Sequence, residues 1–78
     1  MALTLERMRA DVAAKIHEEP EAVGDHENLM DLGLDSMRLM ELTLLWREAG
    51  TAAGFAEFAE KSTLAEWWAL VQARPKAA

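Results

Sequence analysis

The stretch Leu32-Gly33-Leu34-Asp35-Ser36-Met37-Arg38-Leu39-Met40-Glu41-Leu42 constrains the fold more than any other part of the chain. A polar pair, Asp35-Ser36, separates a short Gly-containing loop from a long apolar run. Asp and Ser before apolar-periodic sequence mark a helix N-terminus, because their side-chain oxygens accept from backbone N–H groups that lack a partner there. The spacing therefore predicts a helix over 36–49, with Ser36 in its first turn and Gly50 as its stop.

That helix carries too much apolar surface for one face. At about 100° per residue from Ser36, the residues Leu45, Ala49, Leu42, Trp46 and Leu39 span roughly 180° to 300°. Met40, Leu44 and Met37 span roughly 40° to 100°, on the side where Ser36 begins the helix. A surface helix ordinarily needs one apolar stripe. The second is either covered by another element or open to a partner, and two of its three members are Met, a side chain that adapts to differently shaped surfaces. A hydroxyl at a helix start beside such a stripe reads as an attachment point with a docking surface.

Leu5, Met8, Val12 and Ile16 repeat at steps of three, four and four, which predicts an amphipathic helix over about 4–17. Thr4 can cap it, Glu6 suits its first turn, and Glu18-Glu19-Pro20 is expected to end it. A long loop, 18–35, follows, tethered by Val23, Leu29, Leu32 and Leu34. After Gly50, Thr51-Ala52-Ala53-Gly54 reads as a turn and 55–60 as a short helix with Phe58 facing in. Thr63-Leu64-Ala65-Glu66 is a capping box that opens a helix over 63–73. Leu64, Trp67 or Trp68, and Val71 form its inward stripe. Trp46, Trp67 and Trp68 are assigned to the core, with at least one ring partly exposed. Pro75 closes the helix, and the tail 74–78 is expected to be frayed. The fold class is all-α, a small antiparallel four-helix bundle of three main helices plus one short one, forming a single domain over 1–78.

Composition removes several function classes. The net charge is −6, which argues against nucleic acid and anionic membranes as partners. There is no Cys, hence no disulfide and no thiolate zinc site. No apolar run approaches the roughly 18 residues of a membrane span. Glu6, Arg7, Arg9 and Asp11 interrupt what would be a signal peptide. A cytoplasmic monomer is expected, and whether the domain stands free or belongs to a larger synthetase is open.

Ser36 is either an ordinary helix cap or an attachment site, and Leu32-Gly33-Leu34 together with the Met stripe favours attachment. It is not a catalytic nucleophile, since Gly-x-Ser-x-Gly is absent and only His17 and His26 could act as its base. Both histidines are assigned solvated or capping roles. No metal site is expected. His26-Glu27 lacks a second His four positions on, and Leu29 breaks the calcium-loop spacing of Asp25, Glu27 and Asp31.

The Gly33-Leu34-Asp35-Ser36 sequence and the apolar residue after it resemble the phosphopantetheine attachment motif of acyl and peptidyl carrier domains. Through Met37-Arg38-Leu39-Met40, Leu45-Trp46-Arg47 and Thr63-Leu64-Ala65-Glu66-Trp67-Trp68, the chain most resembles aryl carrier domains of siderophore-type nonribosomal peptide synthesis. The resemblance implies a non-catalytic carrier whose Ser36 bears a 4'-phosphopantetheine arm, derived from coenzyme A, that holds an aryl or aminoacyl group as a thioester. It implies that Asp35 engages a phosphopantetheinyl transferase, a role compatible with capping. An adenylating enzyme would load the arm and a condensation domain would unload it. Leu34, Met37, Met40, Leu44, Phe55 and Ala59 would face these partners. A helix N-terminus also suits a phosphodiester, because its free N–H groups and partial positive charge stabilise an anion. The alternatives are a fatty-acid or polyketide acyl carrier, and an unmodified helical interaction domain in which Ser36 only caps.

Overall fold

The computed structural model describes residues 3–75. Four helices follow in order: α1 (Leu5–Lys15), α2 (Ser36–Ala49), α3 (Phe55–Ala59) and α4 (Leu64–Ala73), with one 3-10 turn (Pro20–Ala22) in the long loop. Three are long and one is short, and among the described residues there is no strand, only an isolated bridge between Thr51 and Pro75. The fold is the all-α four-helix arrangement expected of a small carrier protein. α1 packs against α2 and α4, while α3 fills the corner between α2 and α4.

Each helix begins with local chemistry. Thr4 Oγ1 accepts from the Arg7 amide at 3.1 Å and caps α1, and Asp35 Oδ1 accepts from the Arg38 amide at 2.9 Å and caps α2. At α4, Thr63 Oγ1 accepts from the Glu66 amide at 3.2 Å and donates to Glu66 Oε1 at 2.9 Å. That hydroxyl is the main reason the Glu66 carboxyl sits below its ordinary pKa of 4.5, ahead of the backbone amides of Ser62 and Thr63. The end of α1 differs from expectation. It stops at Lys15, ahead of the Pro20 signal, because His17 adopts φ 60° and lets the Glu18 amide donate back to the Ala13 carbonyl at 2.9 Å. This is a Schellman turn with His where Gly is usual.

The core is a ring cluster. Trp46, Phe58 and Trp67 meet with centroids 5.5 to 5.9 Å apart in tilted and edge-on pairs, the geometry that aromatic quadrupoles favour. Both indole N–H groups find acceptors. Trp46 Nε1 donates to Asp11 Oδ2 at 3.0 Å, joining α2 to α1, and Trp67 Nε1 donates to the Phe58 carbonyl at 3.0 Å. Around the rings pack Met8, Val12, Leu39, Leu42 and Leu64, all buried. Trp67 is the inward member of its pair and Trp68 is half-buried.

Three expectations need correction. Leu45, placed on the inward face of α2, is 38% exposed. It lies at the 180° edge of its stripe, and the buried arc has turned the other way to take in Thr43, whose hydroxyl donates to the Leu39 carbonyl at 2.9 Å. Leu34 was assigned both to the tethering of the loop and to the partner-facing set. It is buried at 3% exposure, so in this conformation it tethers and offers partners no surface. The tail was expected to fray from Arg74, yet the Arg74 carbonyl accepts from the Ala52 amide at 2.7 Å and the Thr51 hydroxyl at 3.0 Å. The expectation for residues 76–78 lies outside the described residues.

The long loop is pinned at several points. The Arg9 guanidinium reaches both the Val23 carbonyl and Asp25. The Leu29 amide donates to the Ser62 carbonyl at 2.8 Å, and the Asp25 carbonyl accepts from the Ala65 amide at 2.9 Å. With Val23, Leu29 and Leu34 buried, the loop delivers the chain to Ser36 from a fixed direction. Among the described residues no helix is long and apolar enough to cross a membrane, and no group of three side chains could hold a metal ion.

Candidate attachment site

Asp35 and Ser36 divide two tasks that the sequence left open between them. Asp35 has extended backbone and supplies the cap, while Ser36 is the first helical residue. The second Asp35 oxygen pairs with Arg38 Nη1 at 2.6 Å, which offsets its negative charge beside the helix start. Both partners are substantially exposed, so the pair contributes little stability and mainly sets local charge. The Ser36 side chain is exposed and its hydroxyl enters no hydrogen bond among the described residues. It is therefore available for derivatisation without loss of a cap.

The second stripe of α2 is open. Met37, Met40 and Leu44 are 74%, 50% and 63% exposed. Phe55, the first residue of α3, is half-buried against the core and approaches this side of α2. Ser36, Met37, Met40 and Phe55 line a shallow, mostly apolar depression of about 460 Å³. Thus the structure gathers four of the residues singled out from the sequence around one hollow. Leu44 and Ala59 are exposed but are not among its lining residues, and Leu34 lies beneath the surface.

Sequence reasoning missed the support behind Phe55. Glu57 Oε1 accepts from the Gly54 amide at 3.2 Å, closing the start of α3, and Glu57 Oε2 takes Arg74 Nη1 at 2.5 Å. The signal was present, since Gly54-x-x-Glu57 repeats the three-residue offset of Thr63-x-x-Glu66. Its hydroxyl-free first position conceals the resemblance.

These features fit a phosphopantetheine group. The amides of Ser36 and Met37 have no acceptor among the described residues, and they stand at the positive end of the α2 dipole, where a phosphodiester is stabilised. The neighbouring hollow is apolar and shallow, suited to a chain lying along it rather than to an enclosed substrate. His17 and His26 are both exposed and lie outside this lining, so neither completes a base–nucleophile pair with Ser36.

Comparison with known proteins agrees. The family described as "Phosphopantetheine attachment site" matches residues 6–71. The chain is 42% identical over 92% of its length to the acyl carrier protein ScoB of Streptomyces coeruleorubidus, of which it covers 85%. It is 42% identical over 91% of its length to the isochorismatase of Bacillus subtilis, and 46% identical over 78% to pseudomonine synthase PmsE of Pseudomonas entomophila. It spans 23% and 10% of those two longer proteins. No solved structure matches. The chain belongs to the phosphopantetheine attachment site family, and it is a carrier that takes a 4'-phosphopantetheine group and is acted on by partner enzymes.

Proposed function

We propose that Ser36 is the attachment residue and that the arm carries an aryl acid for a nonribosomal, siderophore-type assembly line. The observation that carries the first part is the division of labour at the start of α2, where Asp35 caps and the Ser36 hydroxyl is exposed and unshared. When bound, the group supplies a thiol that holds the cargo as a thioester. The chain's own residues do the rest. The Ser36 and Met37 amides would hold the phosphodiester, Arg38 tempers the Asp35 charge, and Met37, Met40 and Phe55 give an apolar bed next to the attachment point. The pinned loop fixes how the chain enters α2, and the exposed Ser36 side chain is open to a partner's active site.

The partners are a phosphopantetheinyl transferase, an adenylating enzyme and a condensation domain. Docking rests on apolar contact. Arg38, Glu41, Arg47 and Glu48 give α2 no net charge, and Glu41 is already paired with Lys15 at 3.0 Å. Association with these partners should then vary less with salt than charge-driven docking does.

The aryl assignment is supported by the Arg after the Ser36-Met37 step and by the similarity to pseudomonine synthase and to phenyloxazoline synthase MbtB of Mycobacterium tuberculosis, 40% identical over 87% of this chain. A second reading, an aliphatic acyl carrier, is favoured by the similarity to the acyl carrier protein ScoB. The two separate in one assay. The chain is converted with coenzyme A and a broad-specificity transferase, then offered to a hydroxybenzoate-activating, an amino-acid-activating and a fatty-acyl-activating enzyme. Intact mass is expected to show an aryl thioester with the first. Loading by one of the others with none by the first would overturn the aryl reading.

A further inference from the structure

The carrier reading uses Phe55 as one wall of the hollow but says nothing of what aims it. Phe55 follows the connection 51–54, and this connection is tied to the place where the chain leaves α4. Thr51 is 1% exposed, and its hydroxyl donates to the Arg74 carbonyl at 3.0 Å and accepts from the Ala53 amide at 3.1 Å. The same carbonyl accepts from the Ala52 amide at 2.7 Å, and Thr51 bridges to Pro75. Outside this buried node, Arg74 Nη1 holds Glu57, whose other oxygen holds the Gly54 amide immediately before Phe55. Two independent paths, one buried and one exposed, thus run from Arg74 to the residues on either side of Phe55.

We propose that Thr51 is a positioning residue for the docking face, its buried hydroxyl fixing the 51–54 connection to the Arg74 carbonyl so that Phe55 walls the hollow beside Ser36. Removing that hydroxyl leaves the Ala53 amide, itself in a buried residue, without its acceptor and the Arg74 carbonyl with one donor fewer. The loss of that tether is felt by the three residues ahead of Phe55, because on the other side Thr51 follows the α2 stop at Gly50. Small displacements of a contact residue are felt by a partner as weaker association, not slower chemistry, since no reacting atom is touched. This inference rests on Phe55 belonging to the partner-facing surface.

The test compares the full chain with Thr51→Val, which keeps the shape and loses the hydroxyl, and Thr51→Ser, which keeps it. Two readouts are taken well below each melting temperature: the backbone amide shifts of Phe55 and Ala56, and KM and kcat for loading by the adenylating enzyme found to load the parent. The expected result for Thr51→Val is displaced Phe55 and Ala56 signals and a KM raised by about threefold to tenfold at constant kcat. Thr51→Ser is expected to resemble the parent in both. Arg74→Ala, at an exposed position, keeps the carbonyl and breaks only the outer path, so it remains folded and provides a second arm, with a KM rise of about twofold. Displaced signals with KM unchanged in both Thr51→Val and Arg74→Ala would overturn the proposal, as would undisplaced signals in both. A parent that accepts no arm would contradict the carrier assignment of Ser36, while the amide shifts would still decide whether Thr51 positions Phe55.

Discussion

The two sides of α2 are built from similar residues and have opposite fates. One side presents Leu39, Leu42, Trp46 and Ala49, all buried, and the other presents Met37, Met40 and Leu44, each at least half exposed. Hydrophobicity alone does not separate them. What separates them is that the cluster of Trp46, Phe58 and Trp67 is built on one side only. Trp46 closes the aromatic cluster with Phe58 and Trp67 and ties to Asp11 of α1, so that side is committed to the fold. On the Met side, Phe55 joins Ser36, Met37 and Met40 among the described residues in lining a hollow instead of closing a seam. The open apolar stripe is the basis of the proposed docking surface.

Truncating the committed side should have the largest effect. Leu42→Ala is expected to cost about 2–5 kcal/mol, a large share of what so small a protein has, because it opens a cavity at a fully buried position of the core. Met40→Ala, half exposed, should cost under about 1 kcal/mol and leave no cavity, yet weaken loading. Thermal or urea unfolding of both variants checks the contrast, and equal losses would erase the distinction between the two sides.

Trp46→Phe sharpens the same side. It keeps an aromatic ring but removes the Nε1 donor to Asp11, with an expected cost of about 1–3 kcal/mol from the unpaired group and the lost volume. Pairing it with Asp11→Ala in a double-mutant cycle isolates the bond between α1 and α2, and additive losses would mean that the bond contributes nothing.

The helix start comes next. Asp35→Ala should cost about 0.5–2 kcal/mol through loss of the cap, whereas Ser36→Ala should be nearly neutral in stability, since its hydroxyl caps nothing. A reversed order would make Ser36 the cap.

Much of this was legible because it is local. Thr4, Asp35, Gly50 and Thr63 bound their helices through contacts three or four residues away, and such contacts are visible in sequence. The site was legible for the same reason, since Ser36, Met37 and Met40 share one helix turn and a neighbouring one. What escaped depends on distant partners. Leu34 is claimed by the core, and the 180° position of Leu45 falls outside a buried arc that takes in Thr43 instead. Arg74 is held by Thr51, Ala52 and Glu57, more than fifteen positions back. The left-handed His17 could not be anticipated where Gly is the usual choice.

The smallest effect expected is that of pH at the start of α4. Glu66 has a lowered folded-state pKa, so its contribution is fully present above 4.5 and is lost as pH falls through the folded value. The group is fully exposed, and the effect on melting should be slight. The gap between the parent and Glu66→Gln should exist at neutral pH and close in the acid limb, and a gap that widens on acidification would contradict the Thr63 assignment.

The central claim is that Ser36 serves attachment and not folding, and one measurement addresses it directly. The parent and Ser36→Ala are incubated with coenzyme A and a broad-specificity phosphopantetheinyl transferase, and intact mass is recorded beside a melting curve for each. The account predicts one phosphopantetheine increment on the parent, none on Ser36→Ala, and melting temperatures within a few degrees of one another. An increment on Ser36→Ala, carried by Ser62 or a threonine, would contradict it.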